Sequence, residues 1–403
     1  MVSSGQPSAN PRLVKEAIAL SEAGYNIRVL YCPLSPWVDD FDVKLFQAHP
    51  EIKWIQIGYH PHKEKIKYWY ARVRQKFFQY LYLLVNDRFD VANKSQVLFS
   101  QELIKEAKRN KAELYIGHTL GAIPAVVIAA KKHQAKVAFD FEDFHRGEAE
   151  EDSLHWIKTV QTEEKYVPFL SFATTASTLI TKQYTSIFPK LSITTINNCF
   201  PLSNAVTEVK ALPIMPLKLF WFSQTIGEKR GLETVIEAMG KLGGGKISLS
   251  LLGNCSVKMK NYFLSIAKNN EVGHQLNFLP AVEEKEIVAI AANHHVGLAC
   301  EVPIVVNRDI CLTNKVFMYL LAANAVVFSN TKSQTLFVQE NPGIGVVYEQ
   351  NNAVKLANLL NDYINHPEVL QRQRKHSLQL AKQKLNWEEE QKKLLAIIKQ
   401  NIT

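Results

Sequence analysis

The chain has 403 residues, more than one hydrophobic core usually spans, so two domains of roughly 200 residues each are expected. Apolar residues make up 47% and charged residues 21%, with no low-complexity tract, which excludes a disordered chain. The net charge of +9 suits acidic partners such as phosphates, anionic lipid or nucleic acid, and five scattered cysteines without a CxxC pair indicate neither a disulfide framework nor a zinc site. No window approaches the length of about 18 apolar residues that spans a bilayer. MVSSGQPSANPR also lacks the regions of a secretory leader, so a soluble or peripheral protein of the reducing cytosol is expected.

Only MVSS precedes the first helix, whereas a doubly wound domain normally begins with a buried strand. Either that strand is cut short or the sequence begins inside it. SANPRLVKEAIALSEAG predicts a helix capped by Asn10, with Pro11 at the first helical position and a stop at Gly24. The strand IRVLY follows, and the acid run DDFD at Asp39–Asp42 reads as loop. ELYIGH, a helix from Pro124 to His133, KVAFDF, a helix from Trp156 to Phe169, FATTAS, another helix and SITTI then alternate as in a parallel sheet.

Residues 201–217 carry three prolines and no clean period, which marks a linker between a domain over 1–200 and one over 218–370. In the second domain KLFWFS, ISLSLLG, QLNFLP, VGLAC, AVVFS and IGVVY alternate with helices. Residues 371–403 read as two further helices, the second entered through Asn386, that pack back toward the first domain. The expected fold class is α/β, with two Rossmann-like doubly wound domains facing across a cleft where ligands of such sheets bind.

Two loops of the second domain suit an anion. FSQTIGEKRGLETVIEA leads from a strand into a helix and puts Arg230 at a helix N-terminus. NRDICLTNKVFMYLLAANAVV sets Arg308, Thr313, Asn314 and Lys315 in a polar loop before another helix. Each loop has a plain alternative as a surface turn with solvated charges.

These segments resemble the donor domain of GT-B glycosyltransferases, in particular the retaining glycosyltransferase family 4. RGLETVIEA is similar to that family's RGLE segment, and NKVFMYLLAANAVVFSN to its NKxFEYLAAGxPVVxSD. PRLVKEAIALSEAGYNIRVLY and TASTLITKQY extend the likeness over nearly the whole chain. The resemblance implies a hexosyltransferase that moves a sugar from a nucleoside-diphosphate donor to a hydroxyl on a glycan or lipid-linked acceptor. It further implies surface polysaccharide or glycolipid assembly, retention of configuration, and no metal or other cofactor. Arg230, Lys315, Arg308, Thr313, Asn314 and Thr225 would hold the donor.

Departures from the pattern leave two alternatives open: a non-catalytic GT-B protein that binds nucleotide or sugar, and a GT-B nucleotide-sugar epimerase. Thr225 replaces an arginine, Ile310 and Met318 stand at the two positions of the acid-x7-acid motif, and Ala323 and Ala325 replace glycine and proline. Glu301 and Asp309 form a shifted acid pair, and Glu301 is the candidate to hold the donor in place of the lost acid.

In the first half, His118 ends a strand where an imidazole near working pH could assist transfer, a role the family resemblance also implies. DFEDFHRGE follows at the next strand tip, with Asp140, Glu142, Asp143 and His145; Glu142 and Asp143 are the acceptor-binding candidates, and acids with histidine could also ligate a metal. In HKEKIKYWYARVRQKFFQYLYLLV, Ile66, Tyr70, Val73, Phe77, Tyr80 and Leu84 share one helical stripe flanked by Lys65, Arg72 and Lys76 on one side and Lys67 and Arg74 on the other. Such a stripe over residues 63–84 suits either an anionic membrane surface, on the inner face of the membrane, or a core with basic edges. No nucleic-acid module surrounds it, so nucleic acid is not an expected partner.

Overall fold

A computed structural model describes residues 1–87 and 90–402. The chain divides into two compact units: Met1–Asn197 with Val305–Asn307 and the chain from Gln391, and Asn198–Ile304 with Arg308–Glu390.

The first unit is built on a seven-stranded parallel sheet. Its strands are β1 (Val2–Ser3), β2 (Arg28–Tyr31), β3 (Lys53–Gln56), β4 (Leu114–His118), β5 (Lys136–Phe141), β6 (Phe172–Thr175) and β7 (Ile193–Thr195), in the order β3-β2-β1-β4-β5-β6-β7. Two-residue β1 therefore sits inside the sheet, third of the seven strands, with Val2 opposite both Leu30 and Gly117. The first helix runs Pro11–Glu22, and Asn10 accepts from the Leu13 N–H at 3.1 Å, as the capping pattern predicts.

DDFD is not loop but the first turn of the helix Asp39–Ala48. Acids are favoured there by the helix dipole, and Asp42 also accepts from the Ser8 N–H at 2.9 Å.

The second unit holds β8 (Leu217–Thr225), β9 (Ile247–Asn254), β10 (Leu276–Leu279), β11 (Val296–Ala299), β12 (Ala325–Ser329) and β13 (Gly345–Tyr348). All pair in parallel, in the order β10-β9-β8-β11-β12-β13. Leu219, Trp221, Leu249, Leu298 and Val327 face one apolar layer, and Phe220, Leu252, Ala299, Val326 and Phe328 the other. Burial on both faces explains the unbroken apolar runs that mark these strands in the sequence.

The helix Pro367–Gln383 is anchored in this unit, where buried Arg374 donates to the carbonyl oxygens of Ala323 at 3.1 Å and Lys210 at 3.0 Å. The boundary expected at 370 falls inside it. The last helix, Trp387–Ile402, starts where Asn386 accepts from the Glu389 N–H at 2.9 Å.

Candidate functional site

At the end of β8 the second unit turns into the helix Leu232–Leu242. Lys229 and Gly231 flank Arg230 with φ of +58° and +79°. Only glycine fits at 231, because a Cβ there would stand 2.0 Å from the Cys300 carbonyl oxygen. That approach presses the loop onto the end of β11, where Cys300 Sγ donates to the Arg230 carbonyl at 3.2 Å. The Lys229 N–H donates to Glu233 at 3.3 Å and fixes the turn from the helix side.

Arg230 and Arg308 are half-exposed, and neither guanidinium has a salt bridge or side-chain hydrogen bond among the described residues. Burial and then the charge of Arg308 lower the Arg230 pKa, against the pull of Glu301. Two neighbouring cations without a bonded acid make a site ready for an anion.

Lys315 donates to Glu301 at 2.9 Å and to Thr313 Oγ1 at 3.3 Å, with its Nζ 5.5 Å from the centre of the Trp221 ring. Glu301 is mostly buried. Its other oxygen accepts from Gln334 Nε2 at 2.6 Å. Burial opposes ionisation of Glu301, but Lys315 and these hydrogen bonds hold its carboxyl below the usual range. The structure thus brings Arg230 and Arg308 together and links Glu301, Thr313 and Lys315. Asn314 opens the helix Asn314–Leu321, and Thr225 stands exposed at the end of β8 with no side-chain bond to the others among the described residues.

The shifted acid pair is split. Asp309 binds Lys332, through the side chain at 2.8 Å and the backbone N–H at 2.9 Å, at the start of the helix Lys332–Glu340. Met318 is 1% exposed in the layer with Phe220 and Leu252, where a carboxylate would be stranded without partners. Ala323 takes φ +57°, a left-handed backbone conformation that favours glycine.

In the first unit His118 is fully buried rather than open at a strand tip. Its Nε2 lies 3.4 Å from Glu16, and its Nδ1 lies 3.3 Å from Glu142 and 3.5 Å from Asp140. Arg12 donates to both Asp140 oxygens, at 2.5 and 2.8 Å, and to the Ile196 carbonyl at 2.5 Å. Burial would lower the His118 pKa, but Glu16, Glu142 and Asp140 raise it. Burial, with Asp140 alongside, pushes the Glu16 carboxyl above the usual range. Glu16, His118 and Asp140 offer ligand atoms within 4.8 Å of one another, but the Arg12 guanidinium already binds these carboxylates and its fixed charge disfavours a metal cation.

Glu142 and Asp143 line a pocket of about 600 Å³ inside this unit, with Asn93, Thr119, His145 and Glu148 among the other walls. Glu142 is positioned by Asn10 at 2.5 Å, and Asp143 accepts from Asn307 at 2.8 Å. Burial raises the Asp143 carboxyl, partly offset by that bond. Thr119 takes φ +66°, an unusual backbone for a β-branched residue. His145, with no transfer role expected from sequence, bonds Glu148 at 2.9 Å. Burial works against its charge, yet Glu148, Glu163 and Asp143 raise its pKa to about 9. Its H-x-x-E spacing was a visible signal. Asn93 carried none: it sits on the short helix Val91–Gln96, 2% exposed, with neither amide atom bonded.

The aromatic stripe belongs to the helix Lys65–Val85 and is open to solvent: Ile66 is 87% exposed, Tyr80 70% and Leu84 83%. A core role for this face is therefore overturned.

Neither a protein-family model nor a curated protein matches the chain by sequence. Solved structures do match over nearly its full length. Anabaena HepE in complex with UDP superposes with a TM-score of 0.68 at 12% identity, over 99% of this chain and 98% of that one. Sucrose-phosphate synthase from Thermosynechococcus elongatus gives 0.72 at 13%, over 98% and 93%. S. aureus TarM, as a G117R mutant in complex with UDP among other ligands, gives 0.65 at 9%, over 96% of each chain. The fold is that of the GT-B glycosyltransferases. At these identities the fold is what is shared.

Proposed function

We propose that the chain is a glycosyltransferase that moves a hexose from a nucleoside diphosphate to a hydroxyl acceptor, in surface polysaccharide or glycolipid assembly. The observation that carries this is the Arg230–Arg308 pair, two guanidiniums without bonded acids, the first in the turn after β8 and the second on the short helix Val306–Ile310. With Lys315 they would hold the diphosphate, so that side-chain cations do the work of a metal. HepE and TarM were solved with UDP, which supports a uridine donor here.

In the transfer the bond from the anomeric carbon to the diphosphate oxygen breaks, its electron pair leaving with the diphosphate. The acceptor oxygen bonds to that carbon and its proton passes to the departing diphosphate. Under the family resemblance configuration is retained, which the anomer of the product tests directly. Glu142 and Asp143 orient the acceptor, and His118, sealed behind Glu142, acts through it as a positioning residue. The Lys65–Val85 helix would rest on an anionic membrane surface on the cytoplasmic side. Among the described residues no helix is long and apolar enough to cross a membrane.

The second reading, nucleotide binding without transfer, is favoured by Met318 and by the engagement of both Glu301 oxygens within the protein. A thermal-shift screen of nucleotides and nucleotide sugars tests both, since a ligand at about 100 times its dissociation constant stabilises by about 2.7 kcal/mol. A screen with no shift rejects both readings, whereas a shift without sugar release or transfer selects the second.

A further inference from the structure

One helix has two working faces. At about 100° per residue, Tyr68, Arg72 and Gln75 of the Lys65–Val85 helix lie on one side and Ile66, Tyr70, Val73, Phe77, Tyr80 and Leu84 on the opposite side. The first set lines the pocket that holds Glu142 and Asn93. The second is 59–87% exposed, and Trp69 beside it is 69% exposed.

No acid occurs between Lys65 and Val85. Arg74 is bound by Glu102 and Lys67 by Glu64, but Lys65 and Lys76 have no ion-pair partner among the described residues. A pocket wall whose back is an apolar stripe with uncompensated lysines places the pocket beside whatever the stripe enters. An anionic bilayer complements both its apolar surface and its charge.

We infer that the acceptor is an amphiphile anchored in the membrane, with a hydroxylated head that enters this pocket; the inference rests on the glycosyltransferase reading above. Glu142, Asp143 and Glu148 accept hydrogen bonds from hydroxyls. Asn93 can both donate to and accept from a diol. Its amide, 2% exposed and unbonded, is a buried polar group that a sugar head satisfies. Asn93 is thus a specificity-determining residue for the head, while the exposed stripe retains the anchor.

The test uses the whole chain and vesicles of phosphatidylglycerol and phosphatidylcholine. Trp69 is quenched by lipids brominated on the acyl chains, and a Trp69→Phe variant identifies the signal. The doubly substituted Ile66→Glu, Phe77→Glu chain, altered only at exposed positions, loses vesicle retention by about tenfold or more. Its nucleotide affinity, titrated separately, stays unchanged.

For transfer, the tritiated nucleotide sugar that titrates best is offered with vesicles made from the total lipid of the source cells. The label enters the organic phase, and it does so about tenfold less with either the doubly substituted chain or Asn93→Ala, of which only Asn93→Ala keeps vesicle retention. Absence of quenching, label confined to the aqueous phase, or wild-type lipid labelling by the doubly substituted chain overturns the inference. A silent nucleotide titration defeats instead the glycosyltransferase reading on which it rests.

Discussion

The strand ends of the two units treat charge in opposite ways. Around His118 in the first unit, Arg12 neutralises Asp140, and Glu16 and Glu142 bracket the imidazole, with Arg12, Asp140, Glu16 and His118 nearly closed to water. In the second unit Arg230 and Arg308 stand half-exposed without bonded acids. A buried charge held by its opposite is scaffold, because desolvation is tolerated only when the partner stays. An unpaired cation at a strand end is a request for a ligand.

The widest separation of these roles should come from Arg12→Ala, which strands Asp140 and Glu16. It is expected to cost about 3–5 kcal/mol in denaturant unfolding. A loss under 1 kcal/mol would make the first cluster as open to exchange with ligand as the second. Arg230→Ala should behave oppositely. Stability stays near wild type while nucleoside-diphosphate affinity by calorimetry falls about ten- to a hundredfold, the scale of a charged hydrogen bond of about 1.5–3 kcal/mol.

His145 sharpens the comparison through pH. Its pKa of about 9 in the folded chain exceeds the unfolded value near 6.5, so its contribution is complete below about 6.5 and is lost as pH rises through about 9. Unfolding free energies measured from pH 6 to 10 should fall across that window by an amount on the order of 2 kcal/mol, and His145→Gln should flatten the fall. An unchanged profile would show that Glu148 leaves the imidazole neutral.

The smallest effect belongs to neither cluster. Ala323→Gly relieves a left-handed backbone and should raise stability by about 1 kcal/mol. A decrease would mean that the alanine methyl packs too well to lose.

Most strands and long helices were legible because a parallel sheet buried on both faces writes itself as apolar runs between helical periods. Two-residue β1 is too short to carry a pattern, and the acids of Asp39–Asp42 resemble a turn until the helix dipole is considered. Within the candidate sites, the local settings of Arg230 and Lys315 were readable because strand-to-helix junctions announce themselves locally. The enclosure of His118 was not, since Arg12 meets Asp140 across 128 residues of sequence. Met318 read as a missing acid, and its burial gives the physical reason that a carboxylate does not stand there now. Asn93 was invisible because what marks it is a buried amide without a bonded partner, which only three dimensions reveal.

The exposed stripe of the Lys65–Val85 helix also has a consequence for copies of the chain in water. Stripe against stripe is the obvious way to hide this apolar surface when no bilayer is present, and the lysines beside it, with the net charge of +9, keep two copies apart. Salt then acts with two signs on one face. Raising it from low values to about 1 M shortens the screening length to about 3 Å, so the proposed attraction to anionic lipid would weaken while self-association would strengthen. Colloidal behaviour and lipid affinity should therefore trade against each other along a single salt titration, and Lys65 and Lys76 set the point where they cross.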